Sequence, residues 1–448
     1  MDKPTIILAT SNGVGMGHLA RATAIALELR EVANPIIVSM AGGIAEIPEF
    51  SGIRCEYIPG RDRGWMKRSK WDAYLRDRLV ALVNETNASA LSFDGVVPYP
   101  GVIATKLKNP NLNLVWIRRG LWRKNPLRFG LPLQSKMMDF VIEPGDFASA
   151  YDSGPTSVQS DALHIAPVSL YNSAFAYKRE DAMKTIGLDP KRPAVLVQLG
   201  TGENDANEKM RAALTGLIGW KDLQIVLTKE PKDKNGKSLV PDELEVKLVR
   251  YFPLANVLKA FDAAICATGY NGVHELLPAQ IPTVLVSNIR GTDDQEARAK
   301  WCNDFGFAIR ADQANLSVIT EKVCQLQNEE TRKRLTEKCI ELPFTSGAKE
   351  AADILYKIAM GTKSSESAPY LLRQFVYTLL RYSGLGYRKL RPHKNFRVVT
   401  ESIPVWSQAT GVEELRENIR GDVRFEHIIY GASDTYIDRR KKIAKKAY

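Results

Sequence analysis

Short apolar, β-branched runs alternate with stretches of helical spacing along most of the chain. The first run, TIILAT at 5–10, leads straight into SNGVGMGH and then LARATAIALELRE, which reads as strand, glycine loop and helix in succession. Further strand-like runs follow at 35–40, 53–58, 90–94, 112–118 and 139–143, and WDAYLRDRLVALV at 71–83 has the clearest helical spacing between them. Strands alternating with helices predict a parallel sheet covered on both faces.

The periodicity lapses near 166–177, and after Lys191 the opening device is used again: AVLVQL at 194–199, GTGEN at 200–204, then a helix from about Ala206. Strands are expected at 223–228, 246–252, 263–268 and 283–287, with helices around 273–279 and 295–305. The expected fold is therefore α/β, with two Rossmann-like domains, 1–170 and 171–362, facing each other across a cleft. A third segment, 363–448, differs in composition. It holds 17 Lys and Arg against 9 Asp and Glu, so most of the net charge of +11 sits there. Within it, Leu371, Leu372, Phe375, Leu379 and Tyr382 share one helical face, which predicts a basic amphipathic extension.

The 448 residues, 44% hydrophobic and 25% charged, exclude a disordered, collagen-like or disulfide-scaffold chain. The positive balance favours anionic partners. No apolar run is long enough to span a bilayer and the start lacks a signal peptide's pattern, so a cytoplasmic location is expected. Cys55, Cys266, Cys302, Cys324 and Cys339 are widely spaced without CxxC and read as reduced core thiols.

Several familiar motifs fail on spacing. Gly13, Gly15 and Gly17 form GxGxG, with His18 where a dinucleotide fold needs its third glycine, and the second strand ends without an acidic residue for a ribose. NGKS at 235–238 lacks the first glycine of a P-loop, and His274-Glu275 begins HELLP rather than HExxH. What survives is a glycine loop delivering His18 to a helix start, where the dipole disfavours imidazolium; a neutral His18 suits a general base, or else a loop cap. His164, His393 and His427 read as structural.

A second constellation is specific. TGYNGVHE at 268–275 follows an apolar strand, and Pro282 and then Thr292, Asp293, Asp294 and Gln295 come after it. This order resembles the donor-site signature of the UDP-glycosyltransferase superfamily. The glycine loop ending in histidine is similar to that of the bacterial transferases that add N-acetylglucosamine to the lipid-linked peptidoglycan precursor. The resemblance runs through 5–360, is sharp at three loops, and implies the two-domain GT-B fold. It implies roles as well. Glu275 would accept hydrogen bonds from the ribose hydroxyls. Gly269, Tyr270, Asn271 and Gly272 would meet the diphosphate through backbone N–H groups, with Gly200, Thr201 and Gly202 beneath it and Gly15 and Gly17 opposite. Asp294 and Gln295 would contact the donor sugar, and Phe252, in RYFP, would lie against the base. The family's base-site tryptophan and glutamine are absent here, and Thr268 replaces its usual histidine. His274 falls at a variable position and receives no role. Asp94, in SFDGVVPYP, matches the aspartate that orients the catalytic histidine.

The resemblance implies an inverting transfer from a nucleotide-sugar, UDP-linked by preference, to an acceptor hydroxyl, with His18 as base and no metal or other cofactor. Arg21, one turn past His18, reads as either a phosphate contact or a solvated helix position. Acceptors bind the first domain in this fold. Two basic loops there, with Arg61, Arg63, Trp65, Lys67, Arg68, Lys70 and Trp71 in one and Arg118, Arg119, Trp122, Arg123, Lys124 and Arg128 in the other, suit an anionic or lipid-linked acceptor or a membrane surface; the alternative is a solvated surface with the tryptophans partly in the core. The basic tail adds to the membrane reading or packs back on the domains. Nucleic acid is not an expected partner of a transferase. Two other readings stay open: a nucleotide-sugar hydrolase, whose GHxxR loop resembles Gly17 to Arg21, and a non-catalytic protein that binds through its basic face.

Overall fold

The computed structural model describes residues 3–11, 16–41, 44, 46–58, 60, 68–124, 131–200, 204–229, 231–232, 235–288, 291–362, 364, 368–388, 405–406 and 427–430. Gly15, Thr201 and Gly202, the basic positions 61–67, Arg128 and His393 lie outside the described residues.

Two sheets form as expected. The first domain contributes β1 (Thr5–Thr10), β2 (Asn34–Ser39), β3 (Arg54–Tyr57), β4 (Ala90–Asp94), β5 (Asn113–Ile117), β6 (Phe140–Pro144) and β7 (Leu163–Ile165), all parallel in the order β3-β2-β1-β4-β5-β6-β7. The second contributes β8 (Ala194–Gln198), β9 (Gln224–Leu227), β10 (Val246–Leu248), β11 (Ala263–Ala267), β12 (Thr283–Val286) and β13 (Ile309–Ala311), parallel in the order β10-β9-β8-β11-β12-β13. The strand centres are almost wholly buried, as Val- and Ile-rich runs must be when helices cover both faces.

Helical spacing does what it predicts in Arg68–Thr86, where Trp71, Tyr74, Leu75, Leu79, Leu82 and Val83 enter one core with Ile7, Phe93 and Trp116. On the opposite face of the first sheet lies the helix Gly17–Leu29. It is covered by Ala348–Ala359, a helix continuous in sequence with the second domain that crosses back onto the first and buries Ala351, Ala352, Leu355 and Ile358 against it. Four of the five cysteines are buried, and Cys324 is exposed, because it ends a surface helix rather than facing the core.

The tail also joins the first domain. Helix Tyr370–Arg388 packs on Pro100–Lys108 through Val376 and Tyr377, and Arg373, buried, donates to Asp139 Oδ1 at 2.7 Å. Lys106 Nζ and the Leu114 amide occupy the other Asp139 oxygen at 2.9 and 2.8 Å. Two further strands, β14 (Val405–Trp406) and β15 (His427–Tyr430), extend the first sheet, β15 running antiparallel beside β3. Tyr370, Leu371, Phe375 and Leu379 remain exposed along the outer face of the helix.

Candidate active site

The loops at the carboxyl ends of both parallel sheets meet, Asn271 against Gly17 and Arg298 against Asp146, and loops after strands are free to carry chemistry. Thr10 of β1 lies opposite Asp94 of β4, which lies opposite Ile117 of β5, so Ser11, Asp94 and Arg119 share an edge. His18 lies in the first turn of Gly17–Leu29 and Arg21 at the start of the second, three residues apart and on one face.

These groups form a compact chain. His18 Nδ1 lies 2.6 Å from Asp94 Oδ1, and Arg21 grips the same carboxylate with Nε to Oδ2 at 2.9 Å and Nη2 to Oδ1 at 2.6 Å. Asp94 and Arg21 are buried, while His18 keeps 16% side-chain exposure. Asp94 Oδ1 lies nearer to Nδ1 than Arg21 Nη2 does, at 2.6 against 2.9 Å, which favours the proton on Nδ1 and leaves Nε2 as the lone pair. Nε2 has no partner among the described residues. Burial lowers the His18 pKa against the pull of Asp94, with Arg21 and Arg119 acting in the same direction as burial. Burial opposes ionisation of Asp94, but Arg21 and His18 outweigh it and hold the carboxyl below the usual range. Arg21 is thus not a solvated position: it is buried, and its Nε and Nη2 grip Asp94, because burial of one charge demands the other.

The facing edge comes from the second domain. Gly269 N-caps the short helix Tyr270–Leu276, and a side chain at Gly272 would bring its Cβ to 2.7 Å from Cys266 Sγ, so glycine lets this helix sit tight on β11. Gly200, at the end of β8, has φ +87°, a left-handed conformation that favours glycine. Asn271 Nδ2 donates to the Gly17 carbonyl at 3.3 Å, while its Oδ1 is buried without a partner. Glu275 lies one turn further on, partly buried and with no partner among the described residues; reduced contact with water pushes its carboxyl up to about 8.

The remaining positions serve the junction between domains. Tyr270 is buried; its hydroxyl donates to the Gly145 carbonyl at 2.9 Å and accepts from the Val168 amide at 3.0 Å. Asp294 caps the helix Gln295–Asp304 by accepting from the Ala297 amide at 3.0 Å. Gln295 accepts from the Asn288 amide at 2.8 Å and donates to Asp293 at 3.2 Å. The neighbouring Asp293 is held well below the usual carboxylate range, since Arg119 and Arg298 outweigh the opposing effect of burial. Phe252 packs edge-on against Phe50 of the first domain, with ring centroids 5.8 Å apart. Trp71 and Trp122 lie in the core, and Arg118 is fully buried between Glu143 and Asp161, so of the expected acceptor groups these three are structural. Arg119 alone among the described arginines of its loop approaches His18: it makes one long contact to Asp293 at 3.5 Å and leaves its buried Nε unpaired.

Sequence spacing did not reveal the lock across the crevice. Arg298 bonds Asp146 of the first domain at 2.9 Å and Asp293 at 2.9 Å. Arg123 and Asp294 amides donate to the Thr292 and Leu121 carbonyls at 2.7 and 3.0 Å. His274, stacked between Tyr270 and Phe147, accepts from the Phe147 amide at 3.2 Å and is neutral, its pKa lowered to about 4 by burial. Only Asp146 carried a readable sign, an acidic residue just beyond the carboxyl end of a strand.

Comparison with known proteins agrees with this geometry. Residues 195–354 match the glycosyltransferase family 28 C-terminal domain. A 4'-demethylrebeccamycin synthase from Lentzea aerocolonigenes is 30% identical over 114 residues; the match covers 25% of this chain and 26% of that protein. Among solved structures, the glycotransferase of kitacinnamycin superposes with a TM-score of 0.54 at 16% identity, over 80% of this chain and all of that one. The UDP-GlcNAc 2-epimerase of Neisseria meningitidis, bound to UDP-GlcNAc, gives the same TM-score at 12% identity, again over 80% of this chain and all of its own, so the architecture by itself does not fix the reaction. The two facing parallel sheets thus have the GT-B fold of solved glycosyltransferases, and residues 195–354, within the second of them, match a family 28 C-terminal domain.

Proposed function

We propose that the protein is an inverting glycosyltransferase that moves a sugar from a UDP-sugar to an acceptor hydroxyl without a metal. The observation that carries this reading is the His18–Asp94 pair, which leaves Nε2 free at the crevice opposite the helix Tyr270–Leu276. In the reaction, Nε2 takes the acceptor hydroxyl's proton as the oxygen forms its bond to the anomeric carbon, and the bond to the nucleotide diphosphate breaks on the opposite face. The imidazolium that forms is stabilised by Asp94. Backbone N–H groups at the start of Tyr270–Leu276 meet the charge of the leaving diphosphate, and Glu275 accepts from the ribose diol. Asp293 and Asp294 diverge, one to arginines and one to a helix cap, which suits a metal-free site. The acceptor class we favour is anionic or lipid-linked. Its supports are the underused Arg119 beside His18 and the exposed stripe Tyr370, Leu371, Phe375 and Leu379, suited to peripheral contact with a bilayer; among the described residues no helix is long and apolar enough to cross one.

Thermal unfolding against UDP, GDP, CMP, ADP and NAD tests the donor, because only a ligand of the native state raises the transition. A selective rise with UDP is expected; no rise with any nucleotide refutes the reading. One observation favours a second reaction, nucleotide-sugar hydrolysis: Arg21 and His18 act on one carboxylate, in the GHxxR spacing that resembles the hydrolases. Release of free sugar without an acceptor separates the two.

A further inference from the structure

The Tyr270 side chain reaches across to the His18 region of the opposite domain. Its ring covers the Arg21 guanidinium, with Arg21 Cζ 4.9 Å from the centroid, while its hydroxyl is fastened to the Gly145 and Val168 backbone. Among the described residues no other ring covers Arg21; its Nε and Nη2 go to Asp94, and Nη2 also lies 2.9 Å from His18 Nδ1. On the far side, His274 stacks on Tyr270 at 4.2 Å, and the Arg298 guanidinium lies 6.0 Å from its centroid.

We infer that Tyr270 is a positioning residue for His18: by covering Arg21 it holds the Arg21–Asp94–His18 chain in register, so the base of the first domain is complete only while the second domain is docked against it. The inference rests on the reading of His18 as the base. The chain is physically tight. Asp94 Oδ1 receives both His18 and Arg21, so a shift of the guanidinium changes the charge His18 feels and the oxygen it bonds. The ring also shields that charge pair from water, which strengthens each contact within it. The charged and titratable groups around His18 are Asp94 from β4, Arg21 on its own helix, Arg119 after β5 and Tyr270 from across the crevice, with Asp293 next to Arg119. Opening the domains removes Tyr270 and Asp293 and leaves Asp94, Arg21 and Arg119 in place; of the two that leave, Tyr270 is the one that touches the Arg21–Asp94–His18 chain.

The test is ¹⁵N NMR of the histidine side chains in the full-length protein, with His18 assigned by loss of its signals in His18→Gln. Wild-type His18 is expected to titrate below its ordinary value as the Nδ1–H tautomer. Tyr270→Leu exposes the chain to water and should raise the titration midpoint by about half a pH unit or more, with loss of the single tautomer. Tyr270→Phe keeps the ring over Arg21 and should titrate as wild type. A Tyr270→Leu protein that stays folded with an unchanged His18 overturns the inference, as does a Tyr270→Phe protein that shifts as far as the Leu variant. If Tyr270→Leu does not fold, Arg21→Lys serves: it keeps the charge and loses the two-pronged grip, and a His18 spectrum identical to wild type overturns the inference. Turnover retained in His18→Gln would instead defeat the reading of His18 as base, a result independent of the NMR coupling.

Discussion

Glu275→Gln should change how nucleotide affinity depends on pH, and the structure sets the size of the effect. The Glu275 carboxyl has its pKa raised by poor contact with water to about 8, with no cation among the described residues to offset it. An ionised carboxylate accepts from both hydroxyls of a ribose diol, so binding draws on the ionised form. At pH 6, two units lower, only about one molecule in a hundred carries that charge, so affinity for UDP should be roughly 100-fold weaker than at pH 9, or about 2.7 kcal/mol. Between pH 6 and 8, Kd should fall about tenfold per unit and then level off. Glu275→Gln removes this slope. It should match wild type near pH 6 and bind more weakly at pH 9 by about 1.5–3 kcal/mol, the usual worth of a hydrogen bond to a charged group. Calorimetry at pH 6, 7, 8 and 9 measures both, and comparing the two proteins cancels titration of UDP itself. Proton release on binding should approach one per site in the lower range for wild type only. The free protein carries the same signature with the sign fixed by linkage. A folded pKa above the unfolded value of 4.5 gives stability that is full below 4.5 and lost as pH rises through 8, so the wild-type unfolding temperature should decline across that window more than that of Glu275→Gln. A Kd ratio between the two proteins that is the same at every pH refutes the ribose assignment.

Other consequences are equally direct. His18→Ala should leave UDP binding near wild type while abolishing turnover, and Asp94→Asn, which removes the carboxylate at Nδ1, should lower kcat by about 10²- to 10⁴-fold; measured turnover in either variant near wild type removes His18 from the mechanism. Arg373→Met removes one charged partner of buried Asp139 and should cost about 3 kcal/mol, seen in denaturant unfolding and in faster proteolysis within 368–388. Replacing Leu371, Phe375 and Leu379 together by Ser should leave stability within about 1 kcal/mol, since all three are exposed, while removing cosedimentation with anionic vesicles. Unchanged sedimentation would assign membrane contact to another surface.

The architecture was legible where periodicity and loop chemistry agreed. Buried parallel strands such as 194–198 are apolar on both faces, and each glycine loop follows at once, so strand, turn and helix could be read together. The pairing of His18 with Asp94 was suggested by the resemblance and is realised at 2.6 Å. Arg21 resisted, because a charged residue on an otherwise apolar helix reads the same whether it meets solvent or a buried carboxylate 73 positions away. Asp294 also caps its helix and Gln295 also holds the loop after β12, contacts that residue order alone does not announce. The lock formed by Asp146, Arg298 and Asp293 joins residues 152 positions apart, and no local pattern announces such a partner.

The helix Ala348–Ala359, which covers the first domain from the far end of the second, bears on how the chain matures. Ile25 and Leu29 of Gly17–Leu29 share their cluster with Leu355 and Ile358, so one apolar face of the first domain stays uncovered until those residues have left the ribosome. At about 5–20 residues per second, the stretch between β7 and that helix takes roughly 10–40 s to synthesise. During that interval the nascent first domain presents a sticky surface and is a natural client for chaperones. A fragment ending near 340 would keep that surface permanently, so its aggregation would reflect a missing lid rather than a defect within the first domain.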